Sequence, residues 1–367
     1  MQIAPGAVHL TYCTNIHPAQ GWEAVFSNLR RFAPALKARF SPSAPFGVGL
    51  RLSAREAAEL LARDALATFR RFLEDEGLYV AIINGFPYGP FHGTPVKDQV
   101  YAPDWREEAR VRYTLELIAI LSALLPEGID GGISTAPLSY KPWFSPAHDA
   151  PWKEMTANVV RIAEEMARVK ARDGKTLHLD IEPEPDCLIE TSDEAIAFFE
   201  RWLLPSGAPQ LAAALGVSAN QARDILFEHI RVCFDCCHFA VEYENPVAAL
   251  DRLRAAGIRV GRVQLSSAIE VPAGRAGAAF ERLRAFADPV YLHQVVEEGG
   301  RELRHFPDLP PAIADAEHRD RGRWRIHFHV PLFAERYETL ESTQPYVRRV
   351  IEAVARSGAT HHLEIET

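Results

Sequence analysis

The 367-residue chain is 47% hydrophobic, 24% charged and 10% aromatic, an ordinary globular composition that excludes a disordered tail, a collagen-like repeat and a small disulfide scaffold. With 40 Lys and Arg against 49 Asp and Glu, the formal charge is −9, which argues against bulk attraction to nucleic acid or to an anionic membrane. No run of about 18 apolar residues announces a membrane span, and MQIAPGAVHL lacks the basic start and apolar stretch of a signal peptide, so a cytoplasmic protein is expected.

The elements alternate along the chain. VHLTYCTN (8–15) is β-rich, and 22–40 has helical spacing despite Pro34. FGVGLRL (46–52) reads as a strand, after which Ser53 caps a helix reaching Glu76. LYVAIINGF (78–86) is a buried strand followed by an aromatic, Gly/Pro-rich loop to 105 and a helix to 124. GGISTAP (131–137) is strand four, followed by a loop over 138–151 and a helix over 152–172. TLHLDIEP (176–183) is strand five, with helices over 192–215 and 218–229. IRVCFDCC (230–237) and IRVGRVQLSS (258–267) are strands six and seven, separated by a helix near 246–256. A helix over 335–357 and the strand HHLEIET (361–367) end the chain.

Eight strand–helix units without a domain-scale linker predict one α/β domain, a (β/α)8 TIM barrel. The surplus at about 268–333 is expected to be a helix-plus-hairpin insertion after strand seven. An open doubly wound sheet is the alternative, but no G-x-G-x-x-G, phosphate loop or G-x-S-x-G elbow supports it. Five cysteines, three of them in CFDCCH, lack the second pair of a four-cysteine zinc site and read as reduced, buried thiols.

Function in such a barrel sits at the C-terminal strand ends. Those ends carry Asn15, Arg51, Asn84, Glu182, Glu184, Asp235, Gln264 and Glu366, with His238 just beyond Asp235 and His327 and His329 late in the insertion. In HLDIEPEP, alternation puts His178, Asp180, Glu182 and Glu184 on one face. Several carboxylates aimed into one barrel cannot all ionise without a cation or other partners, although a salt-bridged strand end is the plain alternative. Carboxylates and imidazoles converging on one mouth make a divalent metal ion (Mn, Mg or Zn) the expected cofactor. Arg51, Lys97 and Lys141 are candidates for holding an acidic group, while Phe86, Tyr88, Phe91, Trp105, Tyr140 and Trp143 on the loops are candidates for an apolar wall around an organic substrate, with His92 a further contact. His361 and His362 should lie near the other end of the barrel and read as structural.

IEPEP (181–185), VCFDCCH (232–238), RVQLSS (262–267), HFH (327–329) and LEIET (363–367) resemble, in this order, motifs of the xylose-isomerase-like barrel superfamily, which includes xylose isomerases and endonuclease IV. Over nearly the whole chain, HLTYCTNIHP, FGVGLRLS, NGFPYGPFH, VKDQVYAPDW, GGISTAPLSYKPWF and IHFHVPLF resemble the E component of the bacterial Ebo metabolite-traffic system. The superfamily resemblance implies Glu182, Asp235 and Glu366 as carboxylate ligands, with Gln264 replacing a usual histidine and His238 and His329 as further ligands or substrate contacts. It also implies Glu182 and Glu366 as the acid–base pair of an isomerase or epimerase. Glu184 stands where xylose isomerases have lysine, and Arg51 and Asn84 where endonuclease IV has zinc-binding histidines. The expected function is therefore a metal-dependent sugar isomerase or epimerase in a secondary-metabolite pathway. The alternatives are a non-catalytic carrier of an apolar, prenylated metabolite working with other pathway proteins, and a metal-dependent phosphodiesterase.

Overall fold

The computed structural model describes all residues except 4–7, 90–96, 145–149, 275, 288–289, 317–321 and 367. Eight parallel strands close a barrel: β2 (Val8–Cys13), β3 (Phe46–Arg51), β4 (Leu78–Asn84), β5 (Gly131–Thr135), β6 (Leu177–Ile181), β7 (Ile230–Asp235), β8 (Val260–Leu265) and, from the far end of the chain, β15 (His362–Ile365). β15 inserts between β8 and β2, and β2 pairs with β3 to complete the closure. A two-residue strand, β1 (Gln2–Ile3), pairs antiparallel with β2. Helices cover the outside, so β3, β5, β6, β7 and β8 are buried along their whole length, as expected of a parallel sheet hidden on both faces.

Local chemistry sets the helix starts. Ser53 accepts from the Glu56 amide while Glu56 reaches back to the Ser53 amide at 2.7 Å, a reciprocal cap repeated by Thr191 with Glu194. The expected helix to Glu76 breaks in two, Ala54–Leu61 and Ala65–Glu76, around Arg63 at φ 53°. The 192–215 helix is continuous but widens to π geometry over Phe199–Gly207, around Pro205, which has no N–H to close a regular turn. Asp235 is the N-cap of a helix, Cys236–Val241, and accepts from the His238 amide at 3.0 Å, which places His238 one turn above it.

Between β8 and β15 the chain builds more than a helix and a hairpin. A six-stranded antiparallel sheet forms from β9 (Ile269–Val271), β10 (Val295–Glu298), β11 (Arg304–Phe306), β12 (Arg323–Ile326), β13 (Arg336–Tyr337) and β14 (Leu340–Ser342), in the order β11-β10-β12-β9-β14-β13. Phe280, Leu283, Leu309, Ile313 and Trp324 form its own apolar core. The last helix therefore starts at Gln344 rather than near 335. Pro345 suits a first helical turn but would break one already running. Among the described residues, no helix is long and apolar enough to cross a membrane. All five cysteines are free and buried.

Candidate active site

Parallel pairing sets the height of each side chain at the barrel mouth. Arg51 is in register with Asn84, and Asn84 with Ser134; Asp235 and Glu364 are each level with Gln264. Glu182 and Glu366 follow the last residues of β6 and β15, their amides donating to Thr135 O and Leu265 O, each at 3.1 Å. Together with Asn15, Arg51, Asn84, Glu184, His238, His327 and His329 they line a cavity of about 260 Å³.

The carboxylates are incompletely satisfied. Glu366 Oε1 accepts from the amides of Asn15 (2.8 Å) and Asn84 (3.3 Å), but Oε2 has no partner. Asp235 Oδ1 accepts from Ser266 Oγ at 2.7 Å as well as from the His238 amide, and Oδ2 is left over. Glu182 Oε2 is likewise unpartnered. Burial, then the neighbouring Asp235 and Glu184, pushes the Glu182 carboxyl well above the usual range; burial, then Glu182, does the same to Glu366. Burial also pushes Asp235 upward, but His238, His329 and its hydrogen bonds outweigh this and hold it low.

The imidazoles complete the set. His238 Nδ1 lies 3.0 Å from Pro183 O, and His327 Nδ1 lies 2.8 Å from Gln294 Oε1. The Gln294 amide nitrogen donates to Pro185 O and Tyr101 Oη, each at 3.2 Å, which orients its carbonyl toward His327. The two Nε2 atoms then face each other at 3.1 Å. His329 Nε2 lies 3.9 Å from the free Asp235 Oδ2. Donor atoms of Asp235, His238 and His329, and of Glu184, His238 and His327, fall within 4.8 Å of one another, two groups that share His238. Glu184 accepts from Tyr101 Oη at 2.8 Å, and burial raises its pKa to about 8.

Other expected residues are placed elsewhere. Gln264 accepts from Cys233 Sγ at 3.0 Å, beside Glu364, and does not line the cavity. Arg51 reaches the cavity wall, bound to Glu56 (3.2 Å) and Gly89 O (2.7 Å). Lys97 does too, but its ammonium is engaged by Asp308 and Tyr291 O, both at 2.7 Å. Lys141 pairs with Glu190 and Glu194 away from the cavity. Tyr88 packs on Tyr113 in a separate groove, and Trp143 Nε1 bonds Asp98 at 2.8 Å. Trp105 Nε1 donates to Thr135 Oγ1 at 3.1 Å and Tyr140 stacks on Tyr101, both off the cavity, so among the described residues the expected aromatic wall reduces to Phe86, which also stacks on Tyr101. His92 and Phe91 lie outside the described residues.

Sequence reasoning missed Tyr101, Gln294 and the apolar wall of Leu292 and Phe328. Tyr101 comes from a 3-10 turn, Lys97–Tyr101, and the others from the insertion; none adjoins a barrel strand in sequence.

No family model and no curated protein matches the chain. Among solved structures it is similar to a xylose isomerase-like TIM barrel protein from Mycobacterium smegmatis in complex with magnesium (12% identity, 98% of this chain and 89% of that chain, TM-score 0.49). It is also similar to the probable 3-DHS dehydratase AsbF of Bacillus anthracis (13%, 98% and 92%, TM-score 0.45) and to the 3-keto-D-glucoside 4-epimerase YcjR of E. coli (15%, 85% and 98%, TM-score 0.40). At these values the likeness carries no inference about activity.

Proposed function

We propose that the barrel is a metal-dependent isomerase or epimerase that moves a proton next to the carbonyl of a small polyhydroxylated substrate. The observation that carries this reading is the convergence of two buried carboxylates, Glu182 and Glu366, each with an unpartnered oxygen, on a single cavity, with the unpartnered Asp235 Oδ2 3.9 Å from His329 in its wall. Their donor set fits a divalent cation. Leftover carboxylate oxygens and the facing Nε2 lone pairs of His238 and His327 are satisfied together only by a positive centre or an added proton. Glu182, Asp235, Glu366, His238 and His327 would hold the ion, with His329 at its edge; the imidazoles favour Zn²⁺ or Mn²⁺ over Mg²⁺. Bound there, the ion polarises a substrate carbonyl and stabilises negative charge developing on it.

The protein's own groups do the proton transfer. Glu182 and Glu366 reach the cavity from separate strand ends, so one accepts the proton beside the carbonyl and the other returns it. The Asn15 and Asn84 amides fix Glu366 by one oxygen and leave the other without a hydrogen-bond partner in the cavity. Phe86, Leu292 and Phe328 offer an apolar wall for the face of a sugar ring or chain. The resemblance to the Ebo E component supports a substrate drawn from secondary metabolism and contact with other proteins of that pathway.

The test incubates the Mn²⁺- or Zn²⁺-supplemented protein with a panel of ketoses in D2O and follows loss of the C–H signal beside the carbonyl. Exchange that disappears in Glu182→Gln and Glu366→Gln supports the reading. Substrate binding without exchange transfers weight to the carrier. A second reading, hydrolysis of a phosphoester by two ions, is supported by the two donor groups that share His238. Two ions per chain and turnover of a phosphodiester would establish it instead.

A further inference from the structure

The N-terminal end of the barrel holds a second cluster that the proton-transfer chemistry does not use. Asp130 directly precedes β5, His178 is the second residue of β6, and His362 begins β15. A carboxylate oxygen and a ring nitrogen from each histidine lie within 4.8 Å of one another. His362 Nε2 is 3.0 Å from Asp130 Oδ1, and His178 Nε2 is 3.7 Å from Asp130 Oδ2. Both rings are buried, while the Asp130 side chain is 26% exposed and opens the cluster to solvent.

Further buried polar groups surround the cluster and fix its donors. His178 Nδ1 lies 2.6 Å from Asp180 Oδ1, and Arg262 holds the other Asp180 oxygen at 3.1 Å. A carboxylate on Nδ1 places the ring proton there and turns the Nε2 lone pair outward, the arrangement that orients metal-binding histidines. That Nε2 is buried, has no hydrogen-bond partner and points toward a second carboxylate. Arg231 Nη1 holds Asp130 Oδ2 at 2.7 Å and fixes the third donor. Room for this arrangement comes from two strand glycines. A Cβ at Gly132 would run into Asp180 Oδ2 and His178 Cε1, and one at Gly261 into Asp180 Oδ1.

We propose that Asp130, His178 and His362 form a structural site for a borderline divalent cation, Zn²⁺ foremost, that ties the closing strand β15 to β6 and the start of β5. Two imidazoles and one carboxylate suit Zn²⁺ better than Mg²⁺ or Ca²⁺.

The test counts Zn²⁺ bound to the full chain by equilibrium dialysis in two backgrounds, wild type and Glu182→Gln with Asp235→Asn, the second of which removes two donors at the mouth. His362→Gln is expected to lower the count by about one ion per chain in both. The partly exposed Asp130→Asn should do the same, and circular dichroism checks that each variant is folded. Zn²⁺ should also raise the melting temperature of the mouth-site variant, and this rise should vanish with His362→Gln. A count unchanged by His362→Gln and Asp130→Asn in either background overturns the proposal and leaves the cluster a hydrogen-bonded network.

Discussion

His238 and His327 face each other through Nε2 atoms 3.1 Å apart, and each ring already uses its Nδ1 on a carbonyl oxygen. Both rings are therefore held as the same tautomer, with two lone pairs converging on one point. Such a pair gains from a cation. Gln294 fixes this arrangement without lining up as a ligand itself. Gln294→Ala should lower divalent-ion affinity by about 10-fold or more, the usual effect of removing the partner that orients a ligating histidine. Isothermal titration with Zn²⁺ measures it; unchanged affinity would mean that the orientation of His327 does not matter.

Glu184 retains its proton at neutral pH because burial raises its pKa to about 8. A raised folded-state pKa contributes stability that is fully present below the unfolded value and is lost as pH rises through the folded one. The metal-free protein should therefore melt at lower temperature at pH 9 than at pH 6. Glu184→Gln, which mimics the protonated acid, should shrink that difference. Melting curves at the two pH values decide the matter.

His9 and His178 shift the opposite way. Burial lowers both to about 4, with His362 adding to the effect at His9 and Arg231 at His178. A depressed folded-state pKa contributes stability present above the unfolded value, about 6.5, and lost as pH falls toward the folded one. Denaturant midpoints should therefore fall between pH 6.5 and 4. His9→Gln, which gives up the 2.8 Å bond to Tyr79 as an imidazole but cannot be protonated, should make that limb shallower.

Arg262 is fully buried between Asp180 (3.1 Å) and Glu364 (3.3 Å) and also donates to Ile83 O at 3.1 Å. Arg262→Met removes the cation shared by two buried carboxylates, leaving Glu364 without it and Asp180 with only its bond to His178. A loss on the order of 3–5 kcal/mol is expected, as for breaking a buried ion pair from one side. Chemical denaturation reads it directly, and a loss below about 1 kcal/mol would show that the barrel interior admits water to these groups.

The barrel strands are legible because each is a short apolar run between turn signals, and the helix starts because Ser53 and Thr191 carry the cap chemistry in their own sequence. Glu182, Asp235, His238 and Glu366 are legible for a related reason: a parallel barrel sends strand ends to one mouth, so strand position alone brings these residues together. Tyr101 and Gln294 are not legible, since their place depends on how a loop and the antiparallel insertion settle over that mouth. Lys97 and Lys141 look like free loop charges until their partners Asp308 and Glu190, 211 and 49 residues away, are in place. Nor does aromatic content fix direction: Phe86 turns inward and Trp143 does not.

The Arg262 cluster has a further effect on traffic. With Asp180, Arg262 and Glu364 packed across the interior at zero exposure, the barrel is a blind vessel rather than a conduit. Whatever binds at the mouth must leave from the same end of the barrel. If the proposed reaction runs there, product and substrate share the mouth, and accumulated product should act as a competitive inhibitor.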